Sequence, residues 1–464
     1  MRSSIFGSGF VSRYRSVAIL ALMASMGVGV MYSSGADRLG QLFRRKRPVV
    51  VDQQATKVPV ARCLSKDGSL LRQEAGSTTW KTVAHNEELN VGDLILSGTG
   101  TQIESLDGSI KVTFRGDIAG TSPLPIRETA VRLAAGKPGE ADFHLSFERG
   151  RIEITNGRKE GPAICHVRLQ DEDDDFSELK LNEPGSTSTI EIIGRWPKGT
   201  HFNAKAKEDV NPVYDLIFVQ LKGSSEVTDE GVTHRMSAPP GPAMLSWNSQ
   251  AGTLPEKTKL EKLPDWTLPP DITKPEIRAR LQAAMKFRDE FFNGKPLDQV
   301  LESLAMSDDI NARFVAVNVI LATDQLGLLY KVLGETKHQD VIDNTIIGLR
   351  HWVGRKPGQD KKLHQFMMSG RQYSAKQAEI FVDLLHSFSD DELRQPETFE
   401  ALIDYLESDR TGIRGLAHWH LYRLVPKGRS IQFDPTASPE KRKVAVEQWK
   451  KLVPKGKLPP RSID

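Results

Sequence analysis

A change of hydrophobic period at the proline-rich stretch from Pro264 to Pro275 limits this chain more than any other feature. Proline has no backbone donor and cannot continue a central strand, so this stretch and Pro239-Pro240-Gly241-Pro242 punctuate the chain. Upstream, between about 60 and 250, apolar and polar residues alternate in short runs at 94–97, 102–106, 110–114, 143–147, 151–154, 164–169, 189–193 and 216–221. A period of two with glycine turns between the runs predicts strands, arranged as an antiparallel sandwich or a coiled β-sheet. Asp107-Gly108 predicts a type I′ hairpin, a turn whose two central residues need positive φ. Downstream the period becomes helical, with amphipathic stretches at 276–292, 297–305, 311–323, 326–333, 340–353, 361–369, 375–388, 398–406, 412–425 and 439–452.

At 464 residues the chain is too long for one ordinary core and reads as multidomain. The expected order is a tail over 1–15, a transmembrane helix over 16–36, a basic stalk over 37–59, an all-β region over 60–250, a linker over 251–275 and an all-α domain over 276–464. No charged residue lies between Ser16 and Ala36, and about 20 apolar residues suffice to cross a bilayer core. Arg13 and Arg15 precede this run, and Arg38, Arg44, Arg45, Lys46 and Arg47 follow it, as cationic anchors at both headgroup layers. A signal peptide cleaved after Ser34-Gly35-Ala36 is the competing reading, but the run exceeds the roughly 7 to 15 residues of a signal core.

Between Gly68 and Asp117 the chain carries a glycine-bounded first strand, Trp80 with a following turn, Leu89-Asn90-Val91-Gly92-Asp93 leading into Ile95, and Leu106-Asp107-Gly108-Ser109 before a further strand. Phe147-Glu148-Arg149-Gly150-Arg151-Ile152-Glu153-Ile154 adds a strand, basic-glycine, strand element. These features resemble FecR-like domains, over roughly 100 residues. The resemblance implies a β-rich extracytoplasmic module in a bacterial membrane protein, some members of the family being regulators that sit across the membrane from a sigma factor. Such regulators carry a cytoplasmic segment before the span, where here about 15 residues precede Ser16. In the helical half, pairs of helices recurring at about 40 residues, with Asp309 before Arg313 and Asp409 before Arg414, resemble HEAT repeats. A plain helical bundle is the alternative. The excess of Lys and Arg after the span favours a cytoplasmic bulk and the FecR-like resemblance an external one; the reading adopted is extracytoplasmic.

The 63 basic and 60 acidic residues nearly cancel, which argues against a nucleic-acid partner. No phosphate loop, His-Glu-x-x-His helix or Gly-x-Ser-x-Gly elbow occurs, so no catalytic, cofactor-binding or metal residue is assigned. Cys63 and Cys165 lack an adjacent histidine motif; a disulfide between them would close a loop of about 100 residues and contribute up to about 4 to 5 kcal/mol. Asp171 to Asp175 lacks the ligand spacing of a calcium loop and reads as a solvated loop tip, and Arg115-Gly116-Asp117 reads as a turn. His418 and His420 point about 200° apart on a helix and read as packing groups around Trp419. The basic tail, from Lys427 and Arg429 to Lys455 and Lys457, reads as a solvated face. The leading expectation is a non-catalytic, membrane-anchored envelope protein that binds or scaffolds, with the bilayer as one partner through residues 16–36 and an unidentified protein as another. A FecR-like signalling regulator and a carbohydrate-binding or carbohydrate-active protein are the alternatives.

Overall fold

The computed structural model describes residues 57–460, apart from short segments at 98–99, 121, 123, 125, 138, 170–175, 206–210, 230, 251–254 and 370–372. Among the described residues, seventeen strands precede ten α-helices. One run of hydrogen-bonded neighbours is β4 (Glu88–Asn90), β1 (Pro59–Cys63), β6 (Gln102–Ser105), β7 (Ile110–Arg115), β9 (Phe143–Asn156), β12 (Thr187–Arg195), β13 (Val213–Lys222), β16 (Met244–Asn248) and β17 (Glu256–Thr258). The other is β3 (Trp80–Thr82), β2 (Leu70–Gln73), β5 (Leu94–Ser97), β8 (Thr129–Leu133), β9 again, β10 (Ala163–Leu169), β11 (Ser177–Leu181), β14 (Ser224–Asp229) and β15 (Val232–Ser237).

The shared strand β9 makes these two runs one mixed sheet doubled over on itself. The sequence runs at 143–147 and 151–154, expected as two strands, are the two halves of this 14-residue strand. Its first half pairs with β8 and β10, and from Gly150 onward it pairs with β12, with β7 joining from Arg151. Gly150 takes φ of 99°, and a Cβ there would stand 2.4 Å from the Glu128 carbonyl oxygen, so only glycine allows the change of partners at this point. The doubled sheet closes on one core, in which Ile103, Val112, Phe114, Ile152 and Ile154 from one side meet Ile95, Val131, Leu145 and Phe147 from the other.

Of the two expected arrangements, the antiparallel sandwich is corrected by the pairing of β10 with β9, which is parallel from Cys165 opposite Phe143 to Leu169 opposite Phe147. A parallel pair needs a crossover of a dozen or more residues, usually a helix. Here the second half of β9 supplies it by running on into the other layer. The hairpin between β6 and β7 is present, but only Gly108 has positive φ, and its amide donates to the Ser105 carbonyl at 2.8 Å. The type I′ geometry is thus replaced by a turn closed by one left-handed glycine, with the Asp107 carboxylate accepting from the Ser109 amide at 3.0 Å.

The helices are α1 (Pro275–Phe292), α2 (Leu297–Ala305), α3 (Ile310–Ala322), α4 (Leu326–Glu335), α5 (Gln339–Gly354), α6 (Gln359–Met368), α7 (Ala375–Leu385), α8 (Pro396–Tyr405), α9 (Thr411–Leu424) and α10 (Pro439–Leu452). Most helices pack against the next in sequence, and α3, α5, α7 and α9 pack in succession. The turns before α3 and α9 are built alike. The Ser307 hydroxyl accepts from the Asp309 amide and Arg313 donates to the Ser307 carbonyl; the Ser408 hydroxyl accepts from the Arg410 amide and Arg414 donates to the Ser408 carbonyl.

The expected multidomain fold, an all-β FecR-like sandwich or coiled sheet followed by a separate HEAT-like repeat or bundle domain, is overturned. The described residues between 57 and 460 belong to one compact unit. Its cause lies in β5, where Leu94, Ile95 and Leu96 are all buried: Ile95 enters the sheet core, while Leu94 and Leu96, with Leu71 and Ala130, join the apolar core of the helices. A strand buried on both faces reads as a continuous apolar run, and this one has helices against its outer face. The expected span over 16–36 and the stalk up to residue 56 lie outside the described residues, among which no helix is long and apolar enough to cross a membrane.

Candidate functional site

The boundary between sheet and helices is held by charges. Glu128, just before β8, accepts from Arg149 of β9 at 2.8 Å and pairs with Arg355 at the end of α5. Both arginines also cap α3: Arg355 donates to the Leu321 carbonyl at 2.9 Å and Arg149 to the Ala322 carbonyl at 3.2 Å. The last carbonyls of a helix lack intrahelical partners and carry partial negative charge, so cations from sheet and helix meet there. Burial alone would raise the Glu128 carboxyl, but Arg355 and Arg149 outweigh it and hold it at about 2. Around this centre Lys356 and Arg132 pair with the buried Glu148 at 2.6 and 3.2 Å, Arg127 donates to Asn318 at 2.7 Å, and the Trp196 indole donates to the Val353 carbonyl at 3.0 Å. At Gly194 the backbones approach so closely that a Cβ would stand 2.1 Å from the Gly354 carbonyl oxygen. His201, in the loop after β12, reaches Asp383 at 3.1 Å and Glu392 at 2.8 Å on the helical side.

Held against this platform, the helical half lines a half-open cavity of about 380 Å³ between α4, α5, α6, α7 and α9. That lies in the range of about 300 to 1,000 Å³ in which small-molecule sites fall. Its walls are apolar, with Leu333, Ile342, Ile346, Phe366, Phe381 and Leu416 representative. Three glycines open it. Gly415 of α9 has only Ile342 within 4 Å of a built Cβ, at 3.6 Å, and Gly334 has nothing. Gly412 is placed so that a Cβ would strike Phe381 at 2.7 Å and the Tyr373 hydroxyl at 3.0 Å.

The polar groups of the cavity fall into two sets. Asp409, Arg410, Thr411, Tyr330, Tyr373 and Thr436 are the first. Arg410 lies over the Tyr373 ring at 5.2 Å, donates to the Gln377 side-chain oxygen at 3.1 Å and sits 3.6 Å from Asp409. The Gln377 amide in turn donates to both Asp409 oxygens, at 2.8 and 3.1 Å. Burial pushes the Tyr373 phenol up to about 12, so it stays neutral. Thr345 of α5 forms the second set alone. It is 2 % exposed, and its hydroxyl, which has no hydrogen-bond partner, is closed off from the open space of the cavity. A buried hydroxyl left unmet costs about 1–3 kcal/mol.

The features singled out in the sequence lie elsewhere. His420 Nε2 donates to the Leu384 carbonyl at 2.7 Å, and burial lowers the ring to about 3; His418 is lowered to about 4 by burial and packs against Phe433. Trp419 between them carries Arg350 and Arg423 on its ring at 5.1 and 4.7 Å. Cys63 of β1 and Cys165 of β10 are free thiols buried in the sheet core, and burial raises both. Arg115 forms a two-bond pair with Glu153 at 2.8 Å across the sheet. Residues 171–175 lie outside the described set, and Lys441, Lys443, Lys450 and Lys451 are exposed along α10. The cavity itself was missed. The signals available were Gly412 and Gly415, small residues three apart in a helix that otherwise carries an apolar face. No protein-family model matches the chain, and no curated protein or solved structure is significantly similar to it.

Proposed function

We propose that this chain is a non-catalytic, membrane-anchored envelope protein whose helical half binds a small apolar ligand. In this reading residues 16–36 hold it to the bilayer, the bulk of the chain is extracytoplasmic, and the doubled sheet, with its FecR-like features at 68–117 and 147–154, is the platform that fixes the site. The observation that carries the reading is the ligand-sized apolar cavity between the helices. Binding is favoured over chemistry because the charged residues of the lining, Asp409 and Arg410, are engaged with each other and with Gln377.

The test is photolabelling of the full chain in lipid nanodiscs with an alkyl probe bearing a diazirine, followed by peptide mapping. Labelling on the facing sides of α4, α5, α7 and α9 that excess unlabelled decan-1-ol removes is the expected result. Labelling confined to other surfaces, or labelling that no competitor reduces, contradicts the reading.

A further inference from the structure

We infer that the loop over 196–202, which follows β12, is a proton-dependent latch on the α6–α7 wall of the cavity, closed by cationic His201 and released when that imidazole loses its proton. The inference rests on the proposed binding role of the cavity and names its regulation. Leu363, Phe366 and Met367 of α6 and Phe381 and Leu385 of α7 form that wall. The loop comes off the sheet and grips the same two helices. Phe202 packs on His364 of α6 at 5.1 Å, its amide donates to Asp383 of α7 at 2.9 Å, and Trp196 stacks at 4.8 Å on His386, the residue that ends α7. The Gly199 amide donates to the Ser387 carbonyl at 2.7 Å, and His386 Nδ1 donates to the Thr200 carbonyl at 3.1 Å.

His201 is the group in this grip that responds to protons. Its Nδ1 lies 3.1 Å from Asp383 and its Nε2 2.8 Å from Glu392. A neutral imidazole has one N–H and can donate to one carboxylate, whereas the imidazolium donates to both. The pair of contacts therefore belongs to the charged form. Burial alone would lower the imidazole, but Asp383 and Glu392 outweigh it and raise it above the ordinary histidine value. Around it, Lys198 of the loop pairs with Asp390 at 3.4 Å, and Arg350 of α5 donates to the His386 carbonyl and the Ser387 hydroxyl. Burial lowers His386 to about 4 and raises Tyr405 of α8, beside Asp383, so both stay neutral near pH 7. The His201 contribution is complete below the ordinary histidine value and is lost as pH rises through the higher value in the fold. With the His201 side chain 56 % exposed, solvent screens the pair. The latch is weak enough to open and close at equilibrium.

The experiment is hydrogen exchange on the full chain in nanodiscs at pH 6.0 and 8.5, with the intrinsic pH dependence of each amide divided out. In parallel, loss of photolabelling by the diazirine alkyl probe is timed after excess decan-1-ol is added at each pH. In wild type, protection of α6 and α7 is expected to fall about two- to fivefold at pH 8.5, the scale of one exposed ion pair, and probe release to quicken by a similar factor. His201→Gln, which keeps one hydrogen bond and carries no charge, should hold both readings at the wild-type pH 8.5 level at either pH. Equal pH steps in wild type and His201→Gln, or a step shared by α3 and α9, overturn the latch. A step in protection that depends on His201, without any labelling that decan-1-ol removes, contradicts the binding reading and leaves the latch standing.

Discussion

The doubled sheet and the helical half bury comparable kinds of apolar side chain to opposite ends. In the sheet, Phe114, Phe147, Ile152 and Leu145 are fully enclosed between two layers, and its buried charges are matched, Arg151 with Glu191 and Arg115 with Glu153. In the helical half Leu333, Ile342, Phe366 and Phe381 surround open space, and its buried ionisable groups include neutral histidines such as His386 and His420. A mixed sheet tied through one long strand has little freedom to open. Helices that touch in succession can separate locally without breaking hydrogen bonds within each helix. The difference assigns rigidity to one half and the site to the other, and the seam of Glu128, Arg149 and Arg355 joins them.

The largest expected effect is at that seam. Glu128→Gln leaves Arg149 and Arg355 buried against each other at the end of α3, and removing one partner of a buried ion cluster costs about 3–5 kcal/mol. Urea unfolding should show that loss and should split one transition into two, sheet and helices parting; a single transition at the wild-type midpoint would remove the seam from the account.

Acid comes next. Burial lowers His386 to about 4 and His420 to about 3, so in the fold both stay neutral below the ordinary histidine value, while the unfolded chain takes up protons near pH 6.5. Their contribution is complete above pH 6.5 and falls as pH drops toward the folded values. Each accounts for up to about 1.4 kcal/mol per pH unit in that window. Glu128 has the same sign, but its contribution is lost only from about pH 4.5 down to about 2. Tryptophan fluorescence and circular dichroism followed from pH 7 to 5 should therefore show helix weakening while strand signal persists; simultaneous loss would break the contrast between the halves.

Two smaller changes act on the cavity. Thr345→Val removes the unmet hydroxyl and should raise the stability of the protein by about 1 kcal/mol by thermal unfolding. Gly415→Ala introduces a methyl where Ile342 leaves room, and should stabilise by about 0.5–1 kcal/mol through helix propensity. Gly348→Ala on the neighbouring helix should destabilise instead, because its Cβ would stand 2.1 Å from Leu321.

Local elements were readable in the sequence because their signals are local. The runs at 94–97 and 297–305 coincide with β5 and α2, and Ser374 with Gln377 forms the capping box that starts α7. The joining of the two halves was not readable by period alone. Alternation describes a strand with one wet face, whereas Leu94-Ile95-Leu96 has none, and that uninterrupted run was the one local sign that something covers the sheet. The parallel pairing of β9 with β10 depends on Gly150 releasing one strand from its first set of partners, which no count of alternating residues reveals. The cavity is equally non-local: Thr345, Gly415 and Tyr373 stand far apart along the chain and meet only when the helices stack. Asp309 and Asp409, singled out together by sequence spacing, take different parts. Asp309 caps α3 through the Asn311 amide, while Asp409 belongs to the cavity lining.

The most direct test of this division of labour is hydrogen exchange on the full chain in nanodiscs, with and without saturating decan-1-ol. The account predicts added protection on α4, α5, α7 and α9 and unchanged exchange through β7, β9 and β12. Protection appearing first in the doubled sheet, with the helices unaffected, would contradict it.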